Sequence, residues 1–337
     1  MLPHRQRIPF WRAVAVMTER DHHTSQASIR YVDLQINGVS GIDFNTNDLT
    51  AESWDSACQA LDCDGTELFL PTLITDSVEA LNRKLKRYAQ LLEAPPITNG
   101  ALPQGIHLEG PFLSEKQGYI GAHPKQYACD ADLEQLKRWQ EISRGHIRMV
   151  TLAPERDPSA ACTRWLAEQG ILVAAGHTDA TIDQLKRAID NGLTIFTHLG
   201  NACPMLLPRH DNIILRALSL RKHLKYTLIA DGHHLPYWLL QQWIEIIGED
   251  RVAIVSDAIS AAGLPPGMHR LGERTVSVGD DGVPRSEDGS HFVGSGMTLG
   301  MMDRHLEREL SWSAQTRRKL LRENALTWLG TEGTEGT

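Results

Sequence analysis

The sequence predicts a (β/α)8 barrel, and three observations carry that reading. Eight apolar runs of strand character begin near residues 31, 67, 105, 147, 171, 193, 226 and 252. Each is followed by a helix-period pattern, and successive starts lie about 22 to 42 residues apart, which leaves room for a strand, a helix and two loops. Residues able to carry chemistry gather just past these runs, where a parallel barrel places its site. The 337 residues suit one such barrel, about 250 residues with additions. A doubly wound open sheet also alternates strand and helix, but its nucleotide-binding forms need a GxGxxG turn after the first strand, and NGVSGIDF is not one.

Residues 1–30 are polar and punctuated, with no assignable element. Tyr31 to Asn37 is the first strand, followed by a glycine and asparagine loop, Gly38 to Asp48, and a helix over about Ala51 to Leu61. Glu67 to Leu70 is the second strand, and Leu81, Leu85 and Leu92 mark the buried side of a helix near Val78 to Leu92. The third strand, Gly105 to Leu108, ends at Glu109, and a long polar loop through His123 leads to a helix around Leu133 to Ile142. Ile147 to Leu152 is the fourth strand. Ile171 to Ala175, closed by Gly176 and His177, and Leu193 to Thr197, closed by His198, are the fifth and sixth. Between them Ile182, Leu185 and Ile189 form one apolar stripe, Thr181 and Gln184 have capping-box spacing, and Gly192 suits a left-handed helix end. Tyr226 to Ala230 and Val252 to Val255 complete the eight. The terminal GTEGTEGT cannot build a core, so 31–330 is read as the barrel and 331–337 as a tail.

If these runs are neighbouring parallel strands, their C-terminal ends share one rim. That rim collects Asp33 and Gln35, then Glu109, His177, His198 and Asn201, then Asp231, His233, His234 and Asp257. One carboxylate and two imidazoles, Glu109, His177 and His198, make a three-ligand set with a position left open, the arrangement of a catalytic zinc. The blander alternative pairs Glu109 with an arginine and bonds the histidines to loop carbonyls. Asp257, in AIVSDAISAAG, can face a water across the barrel mouth and move its proton, or else cap the following turn. His233 and His234 lie past Asp231 and Gly232, which suits substrate contact better than ligation.

Lys and Arg number 34 against 42 Asp and Glu, a formal charge of −8, which offers no general surface for nucleic acid or an anionic membrane. An anionic substrate must then be met by local cations. Cys58, Cys63, Cys129, Cys162 and Cys203 are odd in number and form no CxxC pair, against both a disulfide framework and a thiolate zinc site and in favour of a reduced cytoplasm. The early run IPFWRAVAVM contains an arginine and no cleavage pattern, and no stretch reaches ~18 apolar residues, so neither targeting nor a membrane span is expected.

The segments HLEGPFLSEKQGYIGAHP, LAPE, GHTDAT, THLGNACPMLLPR, IADGHHLP, SDAISAAGLPPG and GSGMTLG follow one another in that order. From about Tyr31 to Gly330 they resemble the N-acetylglucosamine-6-phosphate deacetylases of the amidohydrolase superfamily. The resemblance implies a metal-dependent TIM barrel holding one divalent ion on Glu109, His177 and His198, with zinc the first choice and Fe2+ or another divalent ion the alternative. It implies that Asp257 is the general base and acid, that His123 helps hold and polarise the amide, and that Asn201, Ala202, Arg209 and His234 grip the sugar phosphate. The planar donor fork of Arg209 suits a phosphate on chemical grounds as well. The expected reaction is hydrolysis of N-acetylglucosamine 6-phosphate to glucosamine 6-phosphate and acetate in amino-sugar catabolism, by a cytoplasmic homodimer whose partner is a small amino-sugar phosphate. The galactosamine epimer as substrate, and a non-catalytic relative that only binds sugar phosphate, stand as alternatives.

Where many amidohydrolases carry a first-strand HxH for a second metal, this chain has Asp33, Leu34 and Gln35; glutamine is a poor zinc ligand, so one metal is expected. Gly200, Cys203 and Ser256 stand where an aromatic residue, methionine and threonine are usual. The family also builds a small accessory β-sandwich from segments on both sides of the barrel. Here the residues before Tyr31 lack strand alternation and GTEGTEGT follows ENALTWLG, so the sandwich is expected to be missing or vestigial, leaving barrel surface open to a partner.

Overall fold

Eight parallel strands, each buried on both faces and joined through helices, pair in chain order and curl almost to closure. They are β1 (Tyr31–Ile36), β2 (Thr66–Ile74), β3 (Ile106–Glu109), β4 (Ile147–Leu152), β5 (Leu172–Ala175), β6 (Ile195–Phe196), β7 (Lys225–Ile229) and β8 (Val252–Val255). The computed structural model describes residues 29–330 except 272, 273, 288 and 290, so the expectations for 1–28 and 331–337 lie outside the described residues. The seam closes where Ile36 bridges Ala258, Asn37 N–H donates to Ala258 O at 2.7 Å and Asp257 N–H donates to Gln35 O at 2.9 Å. Leu102–Pro103 adds a short parallel strand beside β2.

Strand bounds differ from the sequence reading where pairing between strands decides them. β2 runs on through Pro71 to Ile74 because Thr72, Leu73 and Ile74 pair with His107, Leu108 and Glu109 of β3; Asn45 Oδ1 also accepts the Ile74 N–H, and Thr72 Oγ1 accepts the Ile36 N–H of β1. β6 is only two residues long, yet Thr194 N–H and Thr197 N–H still donate to Val173 O and Ala175 O of β5.

The connecting helices are α1 (Ala51–Asp64), α2 (Val78–Glu93), α3 (Leu133–Ile142), α4 (Ala161–Glu168), α5 (Ile182–Asp190), α6 (Ile213–Ser219) and α7 (Tyr237–Ile247). Their starts follow local chemistry: Thr50, Ser77, Asp132 and Asn212 cap α1, α2, α3 and α6 through their side chains, and Thr181 with Gln184 forms the expected reciprocal box at α5. After β8 the pattern changes. A separate antiparallel sheet, β9 (Gly267–Leu271), β10 (Arg274–Val278) and β11 (Pro284–Ser286), precedes α8 (Leu299–Leu310) and covers Ile259, Ala261 and Val293 with Val276 and Val278. These strands are not among those the sequence predicts. A last helical segment, α9 (Ala314–Arg318), a π turn (Lys319–Glu323) and α10 (Asn324–Leu329), is tied to β8 and its entry by Asn324 Nδ2, which donates to Glu249 O and Val252 O.

The barrel interior is apolar except near one end, where Gln35, Thr72, His107, Thr151, Thr197 and Thr227 are buried together. His107 shares hydrogen bonds with Thr151 and Thr72, and burial pushes its imidazole down to about 4, so it stays neutral. These polar side chains underlie the strand ends that carry the site. Among the described residues no helix is long and apolar enough to cross a membrane.

Candidate active site

His177, His198 and Asp257 leave β5, β6 and β8 in left-handed backbone conformations, with φ of 50°, 31° and 46°. That conformation costs a non-glycine residue on the order of 1 kcal/mol, and it persists only where neighbours hold it. Here Ser114 N–H donates to His177 O, Thr227 Oγ1 accepts the His198 N–H, and Asp257 is gripped at both ends of its peptide, by Gln35 O and Ser295 N–H. The abrupt turn aims each side chain over the mouth instead of along the strand.

The ligating atoms of Glu109, His177 and His198 lie within 4.8 Å of one another, and all three residues are buried. His177 Nδ1 lies 2.9 Å from the Tyr119 carbonyl, which can only accept, so Nδ1 carries the proton and Nε2 presents a lone pair to Glu109 Oε1 at 3.4 Å. His198 Nε2 is 3.0 Å from the same oxygen, and its Nδ1 is buried without a partner among the described residues. A lone pair facing a carboxylate is repulsive unless a cation stands between them. The set therefore fits a divalent metal ion.

Asp257 completes the mouth. Burial first, and then the charge of Glu109, push its carboxyl up to about 6, against the pull of His198, His234 and Asn37. Asn37 Nδ2 donates to its Oδ1 at 2.8 Å, while Gln35 Nε2 donates to Glu109 Oε1 at 3.0 Å and reaches Asp257 Oδ1 at 3.4 Å. Asp33, read from the sequence beside Gln35 as a rim residue, instead sits beneath the seam, accepting the N–H groups of Gln35 and Ser256. The first-strand residues that face the site are thus Gln35 and Asn37.

His123 joins the cluster from the loop after β3. Its ring centroid is 4.3 Å from that of His177, and Thr75 N–H donates to its Nδ1, so the neutral ring carries its proton on Nε2, 3.7 Å from Glu109 Oε2. Asn201 and Ala202 line a small recess with His177, Thr178 and Cys203, and Asn201 Nδ2 is buried without a partner among the described residues. Ala202 is left-handed as well, at φ 51°. No side chain fits at Gly200, where an added Cβ would meet the Trp243 indole at 2.7 Å; that indole fills the space instead. His234 is tethered by Nδ1 to Asp231 Oδ2 at 2.7 Å and packs against the Phe292 ring, whereas His233 is exposed. Arg209 is not brought into the cluster; it sits exposed on the loop after β6, without an ion pair among the described residues. The sequence reading missed Asn37, Thr75 and Tyr119. Alternation along β1 puts Asn37 on the face of Gln35 and could have found it, but no sequence signal marks a backbone carbonyl such as that of Tyr119.

A parallel barrel with a buried Glu, His, His set and an opposed carboxylate at one rim defines a metal-dependent hydrolase of the amidohydrolase type. No protein-family model matches the chain. It is 31% identical over 280 residues to the N-acetylglucosamine-6-phosphate deacetylase of Lysinibacillus sphaericus, covering 82% of this chain and 70% of that one. To the Bacillus subtilis (strain 168) deacetylase of the same name it is 32% identical over 300 residues, 89% of this chain and 74% of that one. A mutant N-acetyl-D-glucosamine-6-phosphate deacetylase of Mycobacterium smegmatis, solved in complex with N-acetyl-D-glucosamine-6-phosphate, superimposes with a TM-score of 0.79 at 29% identity, over 89% of this chain and 77% of that one. The chain belongs to the N-acetylglucosamine-6-phosphate deacetylase family.

Proposed function

We propose that the protein hydrolyses the acetamide of N-acetylglucosamine 6-phosphate, giving glucosamine 6-phosphate and acetate. The observation that carries the reading is the buried convergence of Glu109, His177 and His198 opposite Asp257, in a chain of this family. Glu109, His177 and His198 would hold the divalent ion, for which zinc best suits two imidazoles and a carboxylate, with Fe2+ or another divalent ion as alternatives. When bound, that ion supplies Lewis acidity at the rim.

The protein groups divide the remaining work. His123 Nε2–H is aimed to donate to the amide oxygen, whose negative charge grows as water adds to the carbonyl carbon. Asp257 takes one proton from the attacking water and gives it to the departing nitrogen, so the bond broken is C–N and the bond made is C–O. Asn201, with its unpaired Nδ2, Ala202 and His234 hold the sugar, and Arg209 meets the phosphate.

A dimer is part of the same reading. Met205 and Leu206, on the loop between Asn201 and Arg209, are 100% and 92% exposed, and burying them against a second copy would remove that apolar surface from water. Light scattering should give twice the 37.5 kDa chain mass; a monomer at micromolar concentration removes the dimer.

The activity is tested by acetate release from N-acetylglucosamine 6-phosphate and from its galactosamine epimer, with metal content measured on the same sample. Turnover that favours the gluco substrate, with about one equivalent of metal per chain, is the expected result. Metal without turnover of either sugar would end the substrate reading. Folded protein that takes up no divalent metal would end the ligand assignment.

A further inference from the structure

The two oxygens of Asp257 have unequal surroundings. Oδ1 receives Asn37 Nδ2–H at 2.8 Å and faces Gln35 Nε2 at 3.4 Å, while no hydrogen bond reaches Oδ2 among the described residues. Gln35 is itself held: Thr197 Oγ1 donates to its Oε1 at 2.7 Å, its Nε2 donates to Glu109 Oε1 at 3.0 Å, and its backbone carbonyl accepts the Asp257 N–H at 2.9 Å. Asn37 aims Nδ2 at the carboxylate while its Oδ1 is buried without a partner among the described residues; turned over, it would set oxygen against oxygen.

We propose that Gln35 and Asn37 are positioning residues that lock Asp257 through Oδ1, which makes Oδ2 the oxygen that carries the proton from the water to the departing nitrogen. This rests on the hydrolytic reading above. A carboxylate with a free χ2 sweeps both oxygens through many directions, whereas donors fixed on β1 hold its plane before substrate arrives. One Gln35 amide reaching both Glu109 and Asp257 also sets the spacing between ligand set and base. Neither side chain is placed against the sugar, so their loss should lower kcat and leave KM alone.

The test uses the metal-loaded full chain, comparing wild type with Asn37→Leu and Gln35→Met by steady-state kinetics, metal retention against a chelator, and crystal structures. Asn37→Leu, which touches the base and no ligand, should lower kcat about 10- to 100-fold with metal retention unchanged and the Asp257 carboxylate rotated out of its wild-type plane. Gln35→Met should lower kcat and also loosen the metal, because Glu109 loses a donor. If Asn37→Leu does not fold, the smaller Asn37→Ser carries the same comparison. Wild-type kcat in the Asn37 variant, an effect on KM alone, or an unrotated carboxylate would overturn the proposal. Should the wild type itself release no acetate, the functional reading fails, and the carboxylate orientation alone decides the positioning.

Discussion

The histidines of the site are sorted by what holds their far nitrogen. Tyr119 O accepts the His177 Nδ1–H and so leaves a lone pair on Nε2 at the cluster, whereas Thr75 N–H donates to His123 Nδ1 and leaves an N–H there. The same side chain thus presents a lone pair in one case and an N–H in the other, and loop backbone makes the choice. Arg209 differs in kind, since no ion pair holds it among the described residues and the role proposed for it depends on a ligand. Arg209→Met should raise KM for the phosphorylated sugar about 10- to 100-fold, the loss of a charge-assisted contact, with kcat little changed. Unphosphorylated N-acetylglucosamine should show no difference between the two proteins. Equal KM values for the phosphorylated sugar would take Arg209 out of phosphate binding.

Elements were legible where one physical signal acted alone. The stripe at Ile182, Leu185 and Ile189, with the Thr181 and Gln184 box, gave α5 its start, and α3, β4 and β8 fall on their expected residues because apolar runs there are flanked by polar loops. The signal failed where tertiary partners substitute for it. β2 continues through Pro71 because Thr72 to Ile74 find β3 as a pairing partner, and β9 to β11 form on few apolar residues because Val276 and Val278 find Ile259 and Val293 across the fold. The site shows the same division. Glu109, His177, His198 and Asp257 stood at strand ends and could be read from order alone, but the left-handed turns of His177, His198 and Asp257, and the Asn37, Thr75 and Tyr119 atoms that orient Asp257, His123 and His177, arise only once loops from different strands meet.

At the scale of the whole molecule, closing the barrel means joining β1 to β8, and that seam contains a buried carboxyl. Asp33 is 1% exposed and accepts the N–H groups of Gln35 and Ser256 at 3.2 Å each. Burial outweighs those bonds and pushes the carboxyl up to about 7, with the charge of Asp257 adding to the rise. Unfolded, the same group titrates near ~3.9, so between these values the folded chain binds the extra proton. The stability this group contributes is therefore whole below about pH 4 and is lost as pH rises through about 7. Asp33→Asn keeps the accepting oxygen and mimics the protonated acid at every pH. In urea unfolding at constant metal content, the variant should gain on the wild type by a margin that widens from about pH 4 to about pH 7 and then stays level. A margin that does not change across that range would mean the carboxyl is already ionised within the folded seam. The strand junction would then hold a charge, and the closing bonds of the barrel, together with the tether on Asp257 that they support, would be stabilised by neighbours other than a protonated Asp33.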